Sequence, residues 1–175
     1  MGREVRRVPE GWQHPKNDRG SYIPLLGHSF SERHAEWLAE KEQWDAGLVR
    51  DYGVRDGIAW KAKDPTYTGT FEDWHGREPK AEWYMPDWPE SERTHVQMYE
   101  DVSEGTPISP VMASPEELAR WLADNNASAF AGQGASYESW LRVCQGGWAP
   151  SMVITPETGA VSGVEFLGRT QPVDG

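Results

Sequence analysis

The chain has 175 residues, 37% of them hydrophobic and 11% aromatic, with one cysteine and a formal net charge of −11. That length suits one domain able to bury most of the surface its unfolded form exposes, and ten Trp, six Tyr and four Phe argue against wholesale disorder. The charge disfavours duplex nucleic acid, which needs clustered cations, and a lone cysteine excludes both a disulfide framework and a Cys-rich zinc site. No apolar run or N-terminal apolar region marks a membrane span or a secretion signal, so a cytoplasmic protein is expected.

In chain order, residues 1–9 (MGREVRRVP) predict a short strand stopped by Pro9, with Arg3, Arg6 and Arg7 on a solvated, charged edge that blocks unwanted strand pairing. A loop over 10–28 carries Trp12, the His14-Pro15 pair and a brief apolar segment from Ser21 to Gly27. A helix follows, with Ser29 and Glu32 at capping-box spacing and Gly47 at its end. Phe30, Trp37 and Trp44 recur every seven residues along it, opposed by Glu32, Glu36, Glu40 and Glu42. Such a stripe reads as core rather than as a cofactor box.

Residues 49–92 have Gly or Pro breaks every few positions. They also hold Trp60, Trp74, Trp83, Trp88, Tyr52, Tyr67 and Tyr84, and short strands or an irregular layer over the core both fit. Thr94–Val102 predicts a strand with Val96, Met98 and Val102 on one face and His95, Gln97, Tyr99 and Asp101 on the other. Pro107 and Pro110 then hold Thr106 and Ser109 extended.

The most explicit element is the next helix. Ser114 caps it, Pro115 takes the first helical position and Glu117 can reach back to the Ser114 N–H. Leu118, Trp121 and Leu122 form one apolar face, and Asp124–Asn126 end it. Ser136 caps a further helix, YESWLRVCQ, with Trp140, Leu141 and Cys144 inward and Gly146-Gly147 closing it. The chain finishes in a predicted hairpin, SMVIT and AVSGVEFL about a Pro156–Gly159 turn, and a frayed tail over 168–175. Strands at both ends with helices between predict an α+β fold, a small, mainly antiparallel sheet packed against about three helices, in one domain over 1–167.

Chemistry is sparsely signalled. His14, His28, His34, His75 and His95 include no i, i+4 pair; Asp73 and His75 could share a strand edge, but no third ligand is designated, so no metal or cofactor is expected. No G-x-S-x-G elbow is present; Ser103, Ser109, Ser114 and Ser136 suit turns and caps, and Cys144 suits helical burial. Glu116 and Glu117 sit where a helix dipole favours negative charge.

The remaining candidate is Phe71–Glu104, with ten Asp/Glu against three Lys/Arg and interleaved aromatics. The simpler reading packs these rings on the core and leaves the acids to water. The functional one makes Glu72, Asp73, Trp74, His75, Trp83, Tyr84, Asp87, Trp88, Tyr99, Glu100 and Asp101 an interface for a protein partner with a basic groove. An alternative is a small-molecule or catalytic pocket lined by Trp74, Trp83, Tyr84 and Trp88, with polar groups from His75 or His95.

The combination of REVRRVP, Trp12 and His14-Pro15 at the start, the block YEDVSEGTPISPVMASPEELARWLADN, then GWAPSMV and SGVEFL resembles a group of proteins encoded by tailed bacteriophages and prophages. Relatives in that group sometimes carry cysteine pairs in the middle section; this chain has none there, so a zinc site is not carried over. The resemblance implies a phage accessory product in the bacterial cytoplasm. The expectation is therefore an acidic protein-binding accessory protein, such as an inhibitor of a host nucleic-acid-handling or defence complex. A minor virion or assembly component is a further alternative.

Overall fold

The computed structural model describes residues 2–54, 57–101, 105–156 and 159–170, which form two compact units. One unit joins the chain up to Gly27 with the chain from Trp88 onward; the other is His28–Asp87. In chain order the first unit supplies β1 (Gly2–Val8), and the second supplies α1 (Phe30–Asp45), β2 (Leu48–Arg50), β3 (Trp60–Ala62) and α2 (Phe71–His75). The first unit resumes with β4 (His95–Asp101), β5 (Thr106–Pro107), α3 (Pro115–Asp124), α4 (Tyr137–Gly146), β6 (Trp148–Pro150), β7 (Met152–Thr155), β8 (Gly159–Ser162) and α5 (Gly163–Thr170). The fold is α+β.

The first unit is built on a four-stranded antiparallel sheet in the order β5-β4-β1-β6. Val5 lies opposite Met98, and the β1–β4 register runs from Gly2↔Asp101 to Val8↔His95. One face of the sheet, through Val96 and Met98, packs on Leu118 and Leu122 of α3, Trp140 and Val143 of α4 and Val164 of α5. The other face carries Gln97, Tyr99 and Arg6, which are also buried, because the segment between β1 and Gly27 folds back as a strap. Leu25 N–H in that strap donates to Gly105 O at 3.1 Å. Gly105 is required there. Its φ is +53°, and a Cβ would stand 2.3 Å from Leu25 O.

Three expectations are corrected here. First, β1 is an interior strand, and Arg3 and Arg6 are buried rather than solvated. Their guanidinium groups are held by specific acceptors: Arg3 donates to Ser128 O at 2.9 Å and Glu100 Oε1 at 3.2 Å. Arg6 donates to Glu4 Oε2 and to Leu25 O, both at 2.8 Å. Only Arg7 remains exposed, paired with Glu90. Second, the terminal hairpin stops at Ser162, and GVEFLGRT forms helix α5 instead of more strand. Gly163 begins that helix so close to β6 that a Cβ would fall 1.9 Å from Pro150 O. Third, the apolar face expected of Leu118, Trp121 and Leu122 is not covered evenly: the two leucines are fully buried and Trp121 is half-buried. Val102, the turn at Glu157-Thr158 and tail residues 171–175 lie outside the described residues.

The helix caps follow the sequence closely. Ser29, Ser114 and Ser136 each accept a backbone N–H from the third helical residue. Glu117 reaches Ala113 N–H, at 3.2 Å, one residue before the position expected of a capping box.

The second unit has its own aromatic core. Trp37 and Trp44 of α1 are buried on Phe71 and Val49, with the Trp37 and Phe71 ring centroids 5.1 Å apart. The break-rich stretch supplies the rest: an antiparallel β2–β3 ribbon, the short α2 and a single 3-10 turn at Ala81–Trp83. Thr70 and Asp73 form a reciprocal capping box on α2. Among the described residues no helix is long and apolar enough to cross a membrane.

Candidate functional site

In β4 the side chains of Val96, Gln97, Met98 and Tyr99 are all buried, although a two-residue period turns Gln97 and Tyr99 away from the helices. Two buried polar side chains need partners; the strap provides those of Tyr99, and Ser109 together with Tyr99 provides those of Gln97. Tyr99 Oη donates to Gln97 Oε1 at 2.9 Å and accepts from Trp12 Nε1 at 3.0 Å. His14 Nδ1 lies 3.1 Å from the same hydroxyl, and His14 Nε2 lies 2.6 Å from Ile23 O. Gln97 Nε2 donates to Ser109 O at 2.8 Å. The guanidinium of Arg6 sits 4.3 Å from the centre of the Tyr99 ring.

This network floors an open cleft of about 880 Å³. One wall is the strap, through Trp12, Gln13, His14, Pro15, Lys16 and Tyr22. The other is Pro107–Val111 with Trp121 of α3, and Gln97 shows through between them. Trp12 is held from behind by Trp88, edge to face at 4.7 Å. Lys16 Nζ rests 4.7 Å from the Tyr22 ring centre. Of the thirteen lining residues, Lys16 alone carries a fixed charge and none is acidic, in a chain with 28 acids and 17 bases.

Burial dominates the electrostatics of the floor. It pushes the Tyr99 hydroxyl up to about 12, so this group stays protonated. Burial also holds His14 below its ordinary value; the hydrogen bond to Ile23 O opposes this, and the nearby Arg6 charge adds to the lowering. Ser109, the one serine in the walls, has its hydroxyl spent, accepting from Met98 N–H and donating to Pro110 O, both at 2.9 Å.

The residues singled out from the sequence are distributed between the two units. Tyr99 and Trp88 belong to the cleft's floor and support. Tyr99 has no exposed surface and Tyr84 only 6%, so neither ring can anchor a partner. Tyr84 is enclosed by His28 and Phe30. Glu100 pairs with Arg3, and Asp101 ends β4 opposite Gly2. In the second unit Asp73 is consumed by the cap of α2, and Asp87 accepts from Ser31. Glu72, Trp74 and Trp83 are exposed. Trp74 stacks on Tyr67 at 4.3 Å and, with His75, Arg50, Tyr52 and Lys61, lines a pocket of about 230 Å³. Trp83 and Tyr84 do not line that pocket, and Trp88 belongs to the first unit.

His14, Trp12 and Gln97, which carry the cleft floor, lie outside the interface expected from the sequence. The available signal was Gln97, a polar residue inside the apolar run Val96–Tyr99, and a Trp-x-His-Pro stretch in a loop otherwise rich in turn formers. Among the described residues no cluster of three or more His, Cys, Asp or Glu is placed to hold a metal ion. Comparison with protein-family models, with curated proteins and with solved structures returns no match.

Proposed function

We propose that the protein is a binding protein whose site is the cleft of the first unit, and that it takes a small organic molecule there. The observation that carries this reading is the combination of a cleft of about 880 Å³ with a buried, multiply hydrogen-bonded floor. Aromatic and proline walls with a few convergent polar groups are what small-molecule sites have in common, at a similar size. The spent hydroxyl of Ser109 and the burial of Cys144 in the core support binding over nucleophilic catalysis. Screening a small-molecule library by ligand-observed NMR tests it. Ligands are expected whose binding is lost in Trp121→Ala; a library with no ligand sensitive to that substitution overturns the reading.

A second reading, protein docking by a phage accessory product in the bacterial cytoplasm, is favoured by one observation in the second unit. Trp74 is half exposed and Trp83 38% exposed, and Glu72, Glu78 and Glu82 are exposed on the same short unit. Aromatic anchors with surrounding acids suit a basic groove such as that of a nucleic-acid-handling complex. Affinity capture from infected cells is expected to recover one stoichiometric partner and to lose it with Trp83→Ala plus Glu82→Lys.

A further inference from the structure

The floor of the cleft holds one proton too few. Ser109 O can only accept, so the Gln97 amide turns its NH₂ toward it and its Oε1 toward Tyr99. Ile23 O can also only accept, at 2.6 Å, so His14 carries a hydrogen on Nε2. Trp12 Nε1 can only donate. A neutral His14 therefore has a bare Nδ1, and the single Tyr99 proton faces two acceptors, Gln97 Oε1 at 2.9 Å and His14 Nδ1 at 3.1 Å. Protonating His14 removes the conflict. Nδ1–H then donates to Tyr99 Oη, and Tyr99 donates to Gln97, so every close approach pairs a donor with an acceptor.

What opposes that proton is charge and burial. Around His14 stand the Tyr99 hydroxyl of β4, the Tyr22 ring of the strap with Lys16 resting on it, and the charge of Arg6 of β1, which Glu4 pairs at 2.8 Å. Neither wall of the cleft supplies a carboxylate, and the one fixed charge in it, on Lys16, is positive and exposed. An anion is the missing component. It would pair with the lysine and compensate a cationic His14 through a partly dry medium. Trp12 and Trp121, both lining the cleft, give the body of such a ligand aromatic surface to pack against.

We propose, resting on the small-molecule reading above, that the ligand is a planar organic monoanion, an aromatic or heteroaromatic carboxylate, whose carboxylate docks at Lys16 and which is bound together with one proton taken from solvent by His14.

The test uses the full chain and matched pairs of planar carboxylic acids and their primary amides, screened by ligand-observed NMR near pH 7. The best acid is then titrated calorimetrically in two buffers of different ionisation enthalpy, which counts the protons taken up. Acids are expected to bind about tenfold or more tighter than their amides, the scale of one charge-assisted hydrogen bond. Proton uptake is expected to approach one per ligand and to vanish in His14→Gln. Lys16→Met, a substitution at an exposed position, is expected to abolish the preference for acid over amide without disturbing the fold. Equal binding of acids and amides, or acid binding with no proton uptake, overturns the proposal and leaves the small-molecule reading standing. Uptake that persists in His14→Gln also overturns it. If neither class binds in a manner lost with Trp121→Ala, both the proposal and the small-molecule reading fall.

Discussion

Tyr99 shows how much one hydroxyl can organise. Trp12, His14 and Gln97 all turn to it, so Tyr99→Phe strands several buried polar groups at once. The expected cost is about 1–3 kcal/mol, the usual penalty for an unsatisfied buried group, read from urea unfolding. His14 gives the same region a pH dependence. Its folded-state value lies below that of the unfolded chain, so between the two the unfolded state binds more protons and stability rises with pH. That contribution is complete above about pH 6.5, the unperturbed histidine value, and is lost as pH falls toward the folded value. Urea midpoints at pH 7.5 and 5.5 are expected to differ more for the wild type than for His14→Gln. Cys144 makes a further residue-scale test. Burial, with Glu116 adding to it, pushes its thiol up to about 12, so iodoacetamide should alkylate it slowly in the native protein and readily in urea.

Among the elements, α3 and α4 divide labour in a way their sequences only half disclose. Both were legible as helices because their serine caps and apolar spacing are local properties. Which Trp would be enclosed was not, since it depends on what the rest of the chain lays over each face. Trp140 has no exposed surface, whereas Trp121 is half-buried at the cleft. Trp140→Ala is accordingly expected to cost about 3–5 kcal/mol and Trp121→Ala less, about 1–3 kcal/mol, by chemical denaturation. The misreading of β1 has a similar origin. Three arginines in seven residues suggest an edge only if nothing crosses them, and the carbonyl of Leu25 that receives Arg6 comes from a strap with no periodicity of its own. Gly105→Ala should detach that strap. The added methyl has nowhere to go against Leu25 O, so the Leu25 amide is expected to exchange with solvent markedly faster.

On the scale of the whole molecule, the sheet-and-helix class could be read from the order of patterned segments, and the partition into two units could not. Both units are built on tryptophan, and the Gly and Pro residues near positions 27 and 87 look like those inside many loops of this chain. The cleft was invisible for the same reason. Its walls come from residues 12–22 and 107–121, which sequence order keeps far apart. Replacing 28–87 by a flexible linker of about ten residues is expected to leave the first unit folded, with cooperative unfolding and the Trp121-sensitive ligand response intact.

The pairing of β1 with β4 bears on how the protein is born. Val8 meets His95, so β1 finds its neighbour only after some 87 further residues have emerged, on the order of ten seconds at ordinary rates of translation. The intervening His28–Asp87 segment can collapse around its own rings during that wait. Meanwhile the arginines of β1 keep the waiting ribbon hydrated and unattractive to other nascent chains, until Glu100 and Ser128 emerge to take up Arg3.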